Sequence, residues 1–223
     1  LAGRRVAVKV QVPGIRDSIA SALSYVKWLL TASALLPKGL FLENSVQQLQ
    51  QELQDECDYT READMCRRFY QHVAHMEPHG LRFEVPRVVD SVSTTRVLTA
   101  EFLRGRPLTQ AAHMDQTTRD KIAHAIMELS LRELFDWHLM QTDPNWTNFL
   151  FHHERQSIQL IDFGATRDYS SDFIALWLKL LRASVAGDPA PCEHSSVQSG
   201  YLTGHESEVR IPPADDRPCA RLM

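Results

Sequence analysis

The chain has 223 residues, 43% of them hydrophobic and 23% charged, with a formal net charge of -4. This length suits one ordinary domain or two small ones and is enough to bury a core, which excludes disorder, collagen-like repeats and disulfide miniproteins. The negative balance excludes a nucleic-acid binder driven by phosphate neutralisation. The four cysteines, Cys57, Cys66, Cys192 and Cys219, stand far apart with no CxxC pair, and they read as reduced, partly buried thiols rather than a zinc site. Ten histidines, among them His72, His75 and His79, have no carboxylate or cysteine at a convincing ligand offset. Glycine is scarce, at 9 residues against a usual share of about 7%, and the chain opens on Leu1. Both are expected of a piece of a longer protein, and no signal or transit segment is visible.

In chain order, residues 4–12 read as a strand. Val6, Val8, Val10 and Val12 share one face, which should pack, while Ala7, Lys9 and Gln11 take the other. Pro13-Gly14 ends it. Residues 15–36 read as a packed or amphipathic helix. A membrane span or membrane-surface helix is the alternative, because Lys27 is the only charge between Ser18 and Leu36. A second helix is expected from Ser45, with Gln48 completing a capping box, and continues unbroken to about Val73. Strands are expected near Phe83–Val89 and Arg96–Phe102, before a Gly105-Arg106-Pro107 break. A long helix over about Asp115–Met140 carries Ile122, Ile126, Leu129 and Phe135 at helical spacing. Short strands at Phe149–Phe151 and Ile158–Ile161 flank a turn, and a helix follows over Ser171–Ser184. Residues 187–223 show no clear periodicity and read mostly as loop. A β-rich start followed by a helical half predicts an α+β, two-lobed architecture.

The chemistry concentrates in Asp143-Pro-Asn-Trp-Thr-Asn148 and Asp162-Phe163-Gly164. Phosphoryl transfer from a nucleotide needs one carboxylate to orient the acceptor, and an amide with a second carboxylate to hold magnesium. Asp143 and Asn148 have the D-x-x-x-x-N spacing of a kinase catalytic loop, and Asp162 opens a DFG triplet. A hairpin between the two would gather all three residues. Val6-Ala-Val-Lys9 matches the lysine strand of kinases, with Glu52, Glu56 and Glu62 as candidate helix partners for Lys9. The Leu98–Gly105 strand exit, with Glu101 and Leu103, has the form of an adenine-binding hinge.

Four stretches in this order, VAVKVQ-x-PG, ELQDECDYTREA, LRELFDWHLMQTDPNWTNF and LIDFGATRDY, together resemble the UbiB family of atypical kinases. Within it they resemble the branch that acts in mitochondrial coenzyme Q (ubiquinone) biosynthesis. The resemblance runs from about residue 4 to about residue 208. It implies a protein-kinase-like two-lobed fold with helical inserts in the N-lobe: residues 1–104 a partial N-lobe, 105–186 a C-lobe with the catalytic and metal loops, and 187–223 a terminal segment. It implies Mg2+-dependent use of ATP, with Lys9 on the phosphates, Glu52 its helix partner and Asp143 the catalytic aspartate. Asn148 and Asp162 become the metal ligands, Glu101 and Leu103 the nucleotide-binding hinge, and Glu56 and Asp58 the family's ExD motif. An alanine-rich nucleotide loop and a KxGQ helix are expected upstream of Leu1. The implied setting is the matrix face of the mitochondrial inner membrane, with peripheral membrane contact as an option. The implied partners are coenzyme Q biosynthesis proteins or lipid intermediates, and no nucleic acid. A phosphotransferase acting on a protein or small molecule and a non-catalytic lipid- or partner-binding scaffold are the alternatives.

Overall fold

Alternating valines and a lysine form the first strand, and the computed structural model, which describes residues 3–32 and 42–200, pairs it with a distant partner. The elements in order are β1 (Val6–Val10), α1 (Ile15–Ala32), α2 (Leu42–Glu56), α3 (Tyr59–Val73), β2 (Arg82–Glu84), β3 (Val97–Glu101), β4 (Arg106–Pro107), α4 (Gln116–Phe135), β5 (Leu139–Gln141), β6 (Phe149–His152), β7 (Ser157–Leu160), β8 (Thr166–Asp168), α5 (Ser171–Ala186) and α6 (Pro189–Gln198). They form two compact units. The first holds the described residues up to Ser130 together with Gln141–Arg167, and the second holds Leu131–Met140 and the described residues from Asp168.

In the first unit β1 runs antiparallel to β3, with Lys9 opposite Leu98 and Val10 opposite Val97. The lysine face is the covered one: Leu98 packs with Tyr59 and Ala63 of α3. The valine face does not pack as alternation suggested, and Val8, Val10 and Val12 are 54%, 63% and 69% exposed. Alternation separates two faces but cannot say which one a neighbouring helix will cover.

A second, four-stranded sheet has the order β2-β7-β6-β4. β6 and β7 make an antiparallel hairpin with Phe149 opposite Leu160, while β2 lies parallel to β7. In it Ile158 is fully buried and Phe151 and Leu160 nearly so, with Ser157 and Gln159 buried beside them. Gly105 permits the close approach beside it, since a Cβ there would sit 2.7 Å from Gln159 Oε1 and 2.7 Å from Leu150 Cβ.

The helical expectations hold with informative exceptions. The single helix from Ser45 is two helices: α2 begins by Leu42, so Ser45 is an interior position and no cap, and the chain breaks at Cys57-Asp58. The Asp58 carboxylate accepts from the backbone N–H groups of Thr60 and Arg61, ending one helix by capping the next. In α4 the buried stripe is Ile122, Ala125 and Leu129, one turn apart as the periodicity required, and Ile126 and Phe135 are half-buried. None of the described helices is long and apolar enough to cross a membrane.

The second unit contains α5 and α6, packed through Trp177, Leu180, Ala183 and Cys192. α6 corrects the reading of residues 187–223 as loop. Its buried positions Cys192, Ser195 and Ser196 are small and mostly polar, so no apolar stripe marks it. Its signals are local instead: Gly187 takes a left-handed conformation to close α5, and Pro189 opens the next helix. The Leu202-Thr-Gly204 motif and the segment from Arg210 lie outside the described residues.

Gly105→Ala should destabilise the first unit by about 1–3 kcal/mol through overpacking, read by denaturant unfolding. Unchanged stability would mean that the strand exit has room for a side chain.

Candidate active site

Lys9 projects from β1 toward α3, where its ammonium donates to both carboxylate oxygens of Glu62 at 2.9 Å. The pair is asymmetric, because the Glu62 side chain is 3% exposed and that of Lys9 43%. The ammonium also lies 3.7 Å from Asp162 Oδ2 and 5.3 Å from the Tyr59 ring centroid. Burial pulls the Lys9 pKa down, but Glu62 and then Asp162 outweigh it and raise it above its ordinary 10.5. Burial likewise raises the Glu62 pKa, against the pull of Lys9 and a backbone hydrogen bond from Phe163.

This geometry corrects the helix partner of Lys9: it is Glu62 of α3 and not Glu52 of α2. Glu52 instead forms an ion pair with Arg167 at 3.3 Å. The break at Asp58 is the cause, since it turns the chain so that α3 covers the lysine face. A signal for Glu62 was present: it interrupts the otherwise apolar, buried stripe Tyr59, Ala63, Cys66, Phe69 and Val73, and a carboxylate placed there needs a partner. Gln11 fixes the joint by donating from Nε2 to the Cys57 carbonyl at 2.8 Å. Cys66, one turn beyond Glu62, donates to the Pro86 carbonyl, and burial pushes its thiol up to about 12.

The β6–β7 hairpin supplies the acidic side. Ile161 N–H donates to the Asn148 carbonyl at 3.2 Å, so the residue before β6 and the residues after β7 meet at one end of the ladder. Asn148 Nδ2 donates to Asp143 Oδ2 at 2.9 Å, which leaves the Asn148 amide oxygen as an acceptor. Asp162 Oδ1 accepts from Gly164 N–H at 3.0 Å while its other oxygen faces Lys9. A carboxylate and an amide oxygen make a hard donor set of the kind magnesium takes when phosphates and waters complete its shell. Asn148 and Asp162 therefore carry donor atoms of the kind this role needs. Among the described residues no cluster of three or more His, Cys, Asp or Glu side chains forms a metal cage.

Lys9, Asp143 and Asp162 line one cavity of about 450 Å³, together with Glu56, Cys57 and Tyr59. Glu56 is thus brought to the site. Asp58 is not among the lining residues, and its carboxylate is engaged as the α3 cap. Glu101 and Leu103 are not brought to it either. They line a separate cavity of about 670 Å³ with Arg4, Arg5 and Arg87, and the N–H groups of Glu101 and Phe102 donate to the carbonyls of Arg87 and Arg5.

Three residues that the sequence did not mark hold the metal loop. Arg61 donates from Nη1 to the Gly164 carbonyl at 2.9 Å and from Nη2 to the Thr166 carbonyl. Phe163 packs on Phe69 of α3 with ring centroids 5.1 Å apart. Gln141 Nε2 donates to the Asp162 carbonyl at 2.8 Å. No local signal marked Arg61, because adjacent helix residues face different directions and Glu62 does not imply its neighbour.

Residues 1–196 match the family model described as ABC1 atypical kinase-like domain. The chain is 43% identical over 206 residues to "Atypical kinase COQ8, mitochondrial" of Schizosaccharomyces pombe, covering 92% of this chain and 33% of that protein. It is 42% identical over 206 residues to the Saccharomyces cerevisiae protein of the same name, covering 92% and 40%. To "Atypical kinase COQ8B, mitochondrial" of Danio rerio it is 41% identical over 207 residues, covering 93% and 32%. The chain thus spans about a third of the length of the relatives it matches. Among solved structures it is similar to Rv3197 of Mycobacterium tuberculosis, solved with erythromycin, at a TM-score of 0.71 and 25% identity, covering 99% of this chain and 54% of that one.

Replacing Glu62 with Gln should lower the Lys9 pKa, since burial would then be opposed by Asp162 and Tyr59 without the largest upward pull. The Lys9 contribution to stability is fully present below 10.5 and lost as pH rises through the raised value, so wild type should lose more stability than the variant above that pH. Site-specific amine labelling of Lys9 against pH reads the shift, and an unchanged Lys9 titration would remove Glu62 as its partner.

Proposed function

The chain belongs to the ABC1 atypical kinase-like family, and from that premise we propose that it forms the catalytic domain of a Mg2+-dependent atypical kinase or ATPase supporting coenzyme Q biosynthesis in mitochondria. One observation carries the reading: Lys9, Asp143 and Asp162, which come from three distant stretches of sequence, line a single cavity. Their order and chemistry are those of a nucleotide phosphate site.

In this reading Lys9 binds the phosphates of ATP. Glu62 holds the Lys9 side chain in register and, being buried, fixes where the positive charge stands. Asp143 faces the acceptor oxygen and takes or orients its proton, and the Asn148 amide holds the Asp143 carboxylate in place. Asn148 and Asp162 present the oxygens that would hold magnesium, which when bound neutralises phosphate charge as a Lewis acid. Glu56 of the ExD motif stands in the wall of the same cavity and limits what can approach Asp143. Glu101 and Leu103, which line a different cavity, take no part in this reading. The names of the relatives support a mitochondrial setting. The matrix face of the inner membrane, and biosynthetic proteins or lipid intermediates as partners, complete the proposal.

The test uses the full-length protein. Asp162→Asn should weaken Mg-ATP binding by about tenfold or more, roughly 1.4 kcal/mol, while leaving metal-free nucleotide binding nearly unchanged. Equal Mg-ATP binding by both proteins would end the metal role of Asp162. In Asp143→Ala, nucleotide binding should persist while ATP turnover falls by about 10²–10⁴. Turnover at the wild-type rate would remove Asp143 from the chemistry.

A further inference from the structure

Gln141 ends β5 and stands between the two acidic loops. Its Nε2 donates to the backbone carbonyl of Asp162 at 2.8 Å, and its Oε1 accepts from the backbone N–H of Asp143 at 3.2 Å. Both bonds therefore land on the main chain of the acidic residues themselves and not on their neighbours. A primary amide can do this because one planar group carries a donor and an acceptor a fixed distance apart. A carboxylate would lack the donor, and a hydroxyl would lack the span.

The position serves no packing purpose that would explain it. Gln141 is only half-buried and Asp143 is exposed, so the bridge does not exist to satisfy a core polar group. The adjacent residue adds a second tie in the same direction: Thr142 Oγ1 and N–H both reach the Ala165 carbonyl, at 2.7 and 3.3 Å. β5 pairs with β8 up to this point, and the Thr142 and Gln141 bonds carry that connection onward, sewing the Asp143 loop to the Asp162 loop where the strand pairing ends.

We propose that Gln141 is a positioning residue, a side-chain bridge that sets the spacing between the Asp143 and Asp162 carboxylates. This rests on the phosphate-site reading above. A group that must meet an acceptor and another that must meet a metal lose rate steeply when their separation drifts by a fraction of an ångström. The bridge acts on both main chains at once, so its loss should be felt in turnover and metal use rather than in nucleotide capture, which Lys9 governs.

The experiment compares full-length wild type with Gln141→Leu, Gln141→Glu and Gln141→His. The leucine removes both bonds, and the glutamate keeps the acceptor while losing the donor. The imidazole offers a donor on one nitrogen and an acceptor on the other. Gln141→Leu should lower kcat for ATP hydrolysis by about tenfold or more, the scale of two lost hydrogen bonds. It should also raise the Mg2+ concentration for half-maximal rate several-fold and leave metal-free nucleotide affinity within about twofold. Gln141→Glu should be impaired in the same sense, and Gln141→His should recover most of kcat. A Gln141→Leu protein with wild-type kcat and Mg2+ dependence overturns the proposal. So does one whose only change is a lower melting temperature, or a Gln141→Glu protein equal to wild type. If Gln141→Leu does not fold, the glutamate and histidine variants carry the comparison. Should wild type neither bind nor hydrolyse ATP, the phosphate-site reading fails by itself, and hydrogen exchange at the Asp143 amide decides the bridge. Faster exchange in Gln141→Leu supports it, and unchanged exchange overturns it.

Discussion

A buried carboxylate beside a half-exposed ammonium is the constraint around which the first unit is arranged. Glu62 cannot keep its charge in an apolar helix face without a cation, and Lys9 reaches it only if β1 lies across α3 with its valines turned outward. That demand sets the face of β1, the placement of α3 and the start of α3 at Asp58. The Asp58 cap and the Gln11 bond to the Cys57 carbonyl hold the joint from either side. Because Phe163 also donates to Glu62, the same carboxylate ties the lysine strand to the metal loop.

The acidic side is built on a different principle. A hairpin with four-residue strands brings Asn148 and Asp162 together by register alone, since the residues flanking paired strands must meet at the end of the ladder. Register does not reach Asp143, which lies further out on an exposed loop. Side-chain bonds do that work instead: Asn148 to the Asp143 carboxylate, the Asp143 N–H to Gln141, and Thr142 to the Ala165 carbonyl. Arg61 supports the opposite flank through the Gly164 and Thr166 carbonyls. The site is thus a rigid hairpin with a tethered loop, and its polar tethers cluster where backbone pairing ends.

Legibility followed the range of the physics. The four motifs, the hairpin and the α4 stripe were readable because each depends on spacing within a few residues. The partner of Lys9 was not settled that way. Glu52, Glu56 and Glu62 are all acidic and all helical or nearly so, and choosing among them required knowing that the helix breaks at Asp58. The break was itself hidden, because Asp58 within a run of good helix formers looks like one more polar helix position until its carboxylate is seen to cap. α6 escaped for the opposite reason, burying small polar residues that no hydropathy pattern marks. Glu101 and Leu103 occupy the strand exit as expected, yet they face a different cavity from Lys9.

What the sequence determined by itself was the kind of chemistry and its instruments: a lysine on an alternating strand, an aspartate and an asparagine five residues apart, and an aspartate opening a DFG triplet. Those are statements about side-chain type and local spacing, and they survive without coordinates. Tertiary structure alone decided which glutamate meets the lysine, which face of β1 is covered, and that Gln141 and Arg61 belong to the site. Each of these turns on contacts between residues from about 20 to more than 100 positions apart, where many pairings are compatible with the same local pattern. Only the packing of helices on strands selects one of them.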